Sequence, residues 1–307
     1  MKVAVSGKGS IVSTEWLARN LGAPGIRVVD IRGSVRPPGN QPRYVANRED
    51  YLAAHVPGAV FVDWTRDVVD LDDPVPVQIA KPEAFAAKMS ELGIGDGTLV
   101  IVYDDYHHIF AGRLAWALLY HGHDAVRVLD GGWSRWRAEA RPTSRDLPVH
   151  GAASSTCRFT PKMRPALRKT ADEVQRCLRG GDALLLDARP RDQFLGVATA
   201  AQRSGHIPGA RNVPYTGIVD PTTGKFRPVQ DLIGVFAEGG VDVTRLPREV
   251  IVYCNGGVSC SVLFQSLRLL GRDDIAVYDG SWNEWGNDPD RPIEREESSG
   301  DEKNMTL

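Results

Sequence analysis

Cysteine is scarce in this chain of 307 residues, which has four, and no two of them form a CxxC pair. So few cysteines in so long a chain argue against a disulfide scaffold, and their spacing argues against a zinc ribbon. An excess of charge is also lacking, because 37 basic and 39 acidic residues leave a formal net charge of −2. Without a broad basic surface, a nucleic acid is not an expected partner.

Long apolar runs are missing as well. No stretch approaches the roughly 18 apolar residues of a transmembrane helix, so we expect no membrane partner. Glycines and serines interrupt the N-terminal MKVAVSGKGS, which therefore lacks the continuous apolar region of a secretory signal. These absences predict a cytoplasmic protein with reduced thiols.

What the sequence does contain is a repeat of four landmarks in the same order. They are VVDIRG (28–33), AHVPGAVFVDW (54–64), LVIVYDD (99–105) and VLDGGWSRW (128–136), then LLLDARP (184–190), GHIPGARNVPY (205–215), VIVYCNG (250–256) and VYDGSWNEW (277–285). Equivalent residues are 157 positions apart at Asp30 and Asp187, and 149 apart at Asp130 and Asp279. One module is therefore present twice.

Each copy reads as an α/β domain with a mainly parallel sheet flanked by helices. The apolar runs suit strands buried on both faces, and the H-[VI]-P-G-A segments have turn chemistry. Residues 112–120 and 261–270 have helical spacing after the central strand. We expect domains at 1–145 and 166–294, a linker within 140–168, and a charged tail, 295–307, that is disordered.

The two copies differ after the central strand. YDDYHHIFAG in the first copy corresponds to YCNGGVSCS in the second, so only the second has a cysteine, Cys254, at the carboxyl end of that strand. Ligands of open α/β sheets bind at this edge, and a glycine-rich loop entering a helix stabilises an anion. Cys254 is therefore the candidate nucleophile. The predicted anion-binding loop comprises Asn255, Gly256, Gly257, Val258, Ser259 and Cys260.

The other three cysteines have plainer interpretations. Cys157 and Cys177 have no such setting, and packing inside the fold is expected for both. Cys260 either resolves an oxidised Cys254 or packs at the start of the helix.

These motifs resemble those of the tandem-domain rhodanese family, the thiosulfate and 3-mercaptopyruvate sulfurtransferases. The matching segments are DARPRDQFLG, GHIPGARNVP, CNGGVS and YDGSWNEW, with weaker counterparts in the first half, and they cover about residues 10–294. The resemblance implies two rhodanese-like domains, of which the first has Asp104 in place of the nucleophile. It also implies that Cys254 takes sulfur from an anionic donor as a persulfide. The acceptor would be cyanide, a thiol or a protein, with no metal or organic cofactor.

The identity of the donor stays open at this point. Thiosulfate enzymes place Arg and Lys after the cysteine, whereas mercaptopyruvate enzymes place Gly and Ser there; this chain has Asn255 and Gly256. The second arginine of the mercaptopyruvate pattern corresponds to Gln193. We expect Arg189, the first arginine, to bind the donor, with His55 reaching the site from the first domain.

Two other functions compete with sulfur transfer. Inactive rhodanese domains serve as binding or sulfur-relay modules, although they generally lack the cysteine. Phosphatases of related fold use a C-x5-R loop, but Cys260 stands where that arginine would be, so the phosphate ligand is missing.

Overall fold

The structure is a computed structural model that describes residues 9–148, 157–181 and 183–295. Residues 149–156 of the predicted linker and 296–307 of the predicted tail therefore lie outside the described residues. Among the described residues, no helix is long and apolar enough to cross a membrane.

The first half alternates strands and helices. Its strands are Ile11–Val12 (β1), Ile26–Asp30 (β2), Gly33–Val35 (β3), Tyr44–Ala46 (β4), Val60–Phe61 (β5), Leu99–Tyr103 (β6) and Val126–Leu129 (β7). Its helices are Thr14–Asn20 (α1), Arg48–Ala53 (α2), Pro82–Glu91 (α3), Ile109–Tyr120 (α4) and Gly132–Ala138 (α5).

The second half repeats this pattern without a counterpart of β3 and β4. Its strands are Arg168–Lys169 (β8), Ala183–Asp187 (β9), Arg211–Asn212 (β10), Glu249–Tyr253 (β11) and Ile275–Tyr278 (β12). Its helices are Ala171–Gly180 (α6), Arg191–Phe194 (α7), Val229–Glu238 (α8), Cys260–Leu269 (α9) and Ser281–Trp285 (α10), with short 3-10 turns at Pro165–Leu167 and Tyr215–Gly217.

Both halves form the same five-stranded parallel sheet. The strand order is β1-β7-β6-β2-β5 in the first and β8-β12-β11-β9-β10 in the second. The central strands β6 and β11 are almost wholly buried, because helices cover both faces of each sheet. The predicted fold class, two α/β domains with mainly parallel sheets, is confirmed.

The domains meet through α4 and α9, which pack closely. Gly112 permits this approach, since a Cβ there would lie 2.7 Å from Ser261 Oγ. The Ser261 hydroxyl also donates to the Ile109 carbonyl across the interface at 3.1 Å. The buried apolar cluster that results runs continuously through both domains. It fixes the carboxyl ends of β6 and β11 relative to each other.

Candidate active site

Cys254 follows directly on β11 and is 1% exposed at the base of a cavity between the domains. The cavity has a volume of ≈ 230 Å³. The second domain lines it with Pro190, Gln193, Tyr215, Cys254, Asn255, Gly256, Val258 and Ser259. The first domain lines it with Val35, Arg36, Pro37, Pro38, Arg43, Tyr44, Val77, Tyr106 and Ile109. Both domains are therefore needed to form the site.

The loop after Cys254 is held in a tight turn. Ser281 Oγ accepts the backbone N–H groups of Cys254 at 3.2 Å and Gly257 at 3.0 Å. Gly257 has φ +72°, and a Cβ there would lie 2.8 Å from the Asp279 carbonyl oxygen. A Cβ on Gly256 would lie 2.8 Å from Val77 of the first domain. These positions thus require glycine, for backbone conformation at one and for space at both.

The same loop determines the charge on Cys254. Burial alone would raise the pKa of Cys254, but hydrogen bonds from the Cys260 and Ser259 side chains and from the backbone amides of Cys260 and Gly256 lower it to about 5. The thiol of Cys260 has its pKa raised well above the usual value by burial and by the neighbouring Cys254, so it stays protonated and donates. Cys254 is therefore a thiolate at neutral pH without a histidine base.

The first domain shows what this loop conformation binds. Asp104 occupies the position of Cys254, and its carboxylate accepts four backbone N–H groups. They come from Tyr106 at 2.9 Å, His108 at 3.1 Å, and Phe110 and Ala111 at 2.9 Å. Burial raises the pKa of Asp104 to about 6 even though these amides lower it. The loop is thus an anion-binding nest in both halves, occupied by a carboxylate in one and a thiolate in the other.

Arg189 does not line the cavity, so the structure does not place it where it could contact a donor bound over Cys254. It is 1% exposed, and its Nε lies 3.0 Å and 2.9 Å from the two carboxylate oxygens of Asp187. Its Nη2 also donates to the Gly205 carbonyl at 2.8 Å. Arg32 makes the equivalent contacts to Asp30 in the half without a nucleophile. The pair therefore supports the fold of both domains.

His55 also lies outside the cavity, so the structure does not place it where it could bind a donor. Its Nδ1 is 2.8 Å from the Tyr51 carbonyl oxygen and its Nε2 is 3.1 Å from that of Asp146. His206 likewise contacts the Phe194 carbonyl oxygen at 2.8 Å. Each histidine therefore holds a loop of its own domain by hydrogen bonding to backbone carbonyl groups.

The predicted loop residues lie together around Cys254. Asn255 donates from Nδ2 to Gln193 Oε1 at 2.9 Å, which joins the loop to α7. Val258 and Ser259 line the cavity with Asn255 and Gly256, whereas Cys260 is buried at the start of α9. Trp282 and Trp285 are fully buried core residues. Among the described residues, no group of three or more His, Cys, Asp or Glu is placed to hold a metal ion.

Sequence reasoning missed Arg36 and Arg43, which line the cavity from the β3–β4 hairpin. A signal was available in the repeat spacing. The offset between copies falls from 157 at Asp30 to 151 at His55, so the first copy has six extra residues between these landmarks. Those residues fall where the hairpin lies. Tyr106 and Tyr215, which also line the cavity, carry no comparable signal in the sequence.

Comparison with known proteins decides the family. The rhodanese-like domain matches the chain twice, at residues 13–139 and 170–288. The chain belongs to the rhodanese family. This confirms the resemblance inferred from the motifs, and both matches lie within the predicted domain ranges, whose outer limits stay a prediction.

Rhodanese relatives match nearly the whole chain. The mitochondrial thiosulfate/3-mercaptopyruvate sulfurtransferase 1 of Arabidopsis thaliana is 33% identical over 316 residues, covering 96% of this chain and 81% of its own. The 3-mercaptopyruvate sulfurtransferase of Escherichia coli K12 is 33% identical over 286 residues, covering 92% and 97%. The crystal structure of the 3-mercaptopyruvate sulfotransferase SseA from Escherichia coli superposes with a TM-score of 0.76 at 30% identity, covering 89% and 99%. This rhodanese is therefore an enzyme, a sulfurtransferase.

Proposed function

We propose that this rhodanese moves sulfane sulfur from thiosulfate or 3-mercaptopyruvate to a thiophilic acceptor through a persulfide on Cys254. The observation that carries the proposal is a buried thiolate in a nest of amides in a cavity that both domains line. A thiolate that needs no separate base is the nucleophile that such a reaction requires.

The first step breaks one bond to sulfur and makes another. The Cys254 thiolate attacks the outer sulfur of thiosulfate, and the sulfur–sulfur bond of the donor breaks with its electron pair leaving on sulfite. With 3-mercaptopyruvate, the carbon–sulfur bond breaks and its electron pair leaves on the enolate of pyruvate, which takes the proton that the donor thiol carried. In both cases Cys254 retains a persulfide anion. The amides of Gly256 and Cys260, which already point at the Cys254 sulfur, would stabilise that anion.

In the second step an acceptor attacks the outer sulfur, and the Cys254 thiolate leaves. Cyanide, a small thiol and a protein cysteine are the acceptor classes that fit this chemistry. Because Cys254 has to return to a free thiolate after each transfer, we propose that the protein acts in a reducing compartment such as the cytoplasm.

Steady-state kinetics test this proposal. With cyanide as acceptor and thiosulfate or 3-mercaptopyruvate as donor, we expect parallel double-reciprocal plots, because the donor product leaves before the acceptor binds. Cys254→Ser should lower turnover with both donors by about 10³-fold or more. Cys157→Ser, which changes a cysteine that does not line the cavity, is the matched control. Turnover retained in Cys254→Ser would overturn the proposal. A wild-type protein that takes up one sulfur atom but shows no steady-state turnover would favour the non-enzymatic sulfur-relay alternative.

A further inference from the structure

The β3–β4 hairpin of the first domain forms one wall of the cavity over Cys254. Its contribution consists of Val35, Arg36, Pro37, Pro38, Arg43 and Tyr44. The second domain has no strands at the equivalent place between β9 and β10. The hairpin is therefore an addition to one copy of the module that reaches the active site of the other.

Contacts on both sides hold this wall in position. Asn283 Nδ2 of the second domain donates to the hydroxyl of Tyr44 at 3.0 Å. Within the first domain, Trp64 Nε1 donates to the Val45 carbonyl at 2.9 Å. The Arg36 amide donates to the Arg43 carbonyl at 2.8 Å, so the two arginines are paired across the hairpin. Their backbone is fixed before any substrate binds.

The positive charge of the cavity comes from these two residues. Of the described residues that line it, Arg36 and Arg43 are cations, the Cys254 thiolate is an anion, and none carries a carboxylate. Within the described part of the chain, neither arginine has a carboxylate within salt-bridge distance. The Nε of Arg43 is buried and has no hydrogen-bond partner among the described residues. A buried guanidinium N–H without an acceptor is costly, and a bound oxyanion would supply that acceptor.

We propose that Arg36 and Arg43 bind the anionic group of the sulfur donor and thereby make the enzyme specific for anionic donors. The planar guanidinium matches a carboxylate or the oxygens of a thiosulfonate group in a bidentate manner. The first domain would then hold the donor's charge while the second domain supplies the nucleophile. This inference rests on the proposed sulfur transfer, and it accounts for a catalytic loop that lacks charged side chains of its own.

Donor kinetics test the arginines directly. In Arg36→Ala and Arg43→Ala we expect KM for thiosulfate and 3-mercaptopyruvate to rise about tenfold each, with a smaller change in kcat, because a charged hydrogen bond to bound donor is lost. Lysine at either position should recover part of the loss by restoring the charge. Arg245→Ala is the control, since that side chain is 87% exposed and outside the cavity. Unchanged KM values in the Arg36→Ala/Arg43→Ala double variant would overturn the proposal.

A second readout does not depend on sulfur transfer. Iodoacetate is an anion and iodoacetamide is neutral, but both alkylate the same thiolate. The rate with iodoacetate divided by the rate with iodoacetamide therefore reports the electrostatic potential at Cys254. We expect this ratio to fall about tenfold or more in the double variant, because the two cations attract only the charged reagent. An equal ratio in wild type and double variant would contradict the role of the arginines. If wild type forms no persulfide, the proposed sulfur transfer is wrong, but the alkylation ratio still tests whether the two arginines attract anions to Cys254.

Discussion

Cys254 and Asp104 occupy the same position in two copies of one module, and each is held by the amides at the second and sixth residues that follow. For Asp104 these are Tyr106 and Phe110, and for Cys254 they are Gly256 and Cys260. The carboxylate at Asp104 thus shows, within the same chain, that the loop binds a negative charge. The two loops differ in the residue that these amides surround, an aspartate in one copy and a cysteine in the other, and in the side chains that follow it.

The lowered pKa of Cys254 has a direct consequence for reactivity. Because it is about 5, the thiolate is fully formed above about pH 6, and it is protonated as the pH falls through 5. We expect the rate of alkylation of Cys254 by iodoacetamide to be flat between about pH 6 and 8 and to fall below. A free small thiol, whose rate rises towards its own pKa of about 8.5, is the comparison. An alkylation rate of Cys254 that rises tenfold per pH unit between about pH 6 and 8 would contradict a pKa lowered by the loop amides.

Arg189 and Arg32 give a matched test of structural against substrate-binding roles. Each is buried against an aspartate, with side chains 1% and 0% exposed for Arg189 and Asp187, and 3% and 0% for Arg32 and Asp30. Alanine at either arginine leaves a buried carboxylate unpaired, so both changes should lower the free energy of unfolding by about 3–5 kcal/mol. Denaturant titration of the two variants measures this. An Arg189→Ala variant of wild-type stability with a raised KM would restore Arg189 as a donor ligand.

At the scale of elements, the strand–loop–helix unit from β11 to α9 was predictable in outline. The sequence has an apolar run ending at Cys254, then glycines and a helical pattern. In the structure Cys254 follows directly on β11, and α9 begins at Cys260 where 261 was expected. The role of Arg189 was not predictable from the motif alone, because its partners include the distant Gly205. The repeat nevertheless indicated a structural role for this arginine, since VVDIRG has the same Asp-x-Arg in the copy that lacks the cysteine.

The tight loop makes a prediction for its glycines. Gly257→Ala forces a side chain to φ +72° and places its Cβ 2.8 Å from the Asp279 carbonyl oxygen, so we expect a loss of about 1–3 kcal/mol in stability together with reduced turnover. Thermal unfolding and the cyanide assay would measure the two effects. Gly97→Ala, which meets nothing within 4 Å, serves as the control. Equal behaviour of the two variants would show that the loop tolerates a different shape.

At the scale of the whole molecule, an aspartate of each half accepts a backbone N–H group of the other half. Asp279 of the second half accepts the Ile79 amide of the first at 3.0 Å and pairs with Arg113 at 2.6 Å. Asp130 of the first half accepts the Phe226 amide of the second at 2.9 Å. The sequence showed the duplication but not this exchange, because spacing along the chain does not determine which surfaces of two similar domains meet.

The Asp279 contacts predict coupling between stability and activity. Asp279→Asn preserves shape but leaves Arg113 buried without its counter-charge, so the free energy of unfolding should fall by about 3–5 kcal/mol, and kcat/KM should fall as the cavity loosens. Asp273→Asn, which removes an ion pair whose aspartate is 66% exposed, should cost less than about 1 kcal/mol. Denaturation curves of both variants provide the comparison. Similar small losses would mean that Asp279 does not join the domains.

The central claim is that Cys254 carries the sulfur, and intact-mass spectrometry tests it most directly. After exposure to either donor and removal of excess, wild type should gain one sulfur atom and lose it again on addition of cyanide. Cys254→Ser should gain none, whereas Cys157→Ser and Cys177→Ser should behave as wild type. A gain of one sulfur atom by the Cys254→Ser protein, removed again by cyanide, would contradict the account.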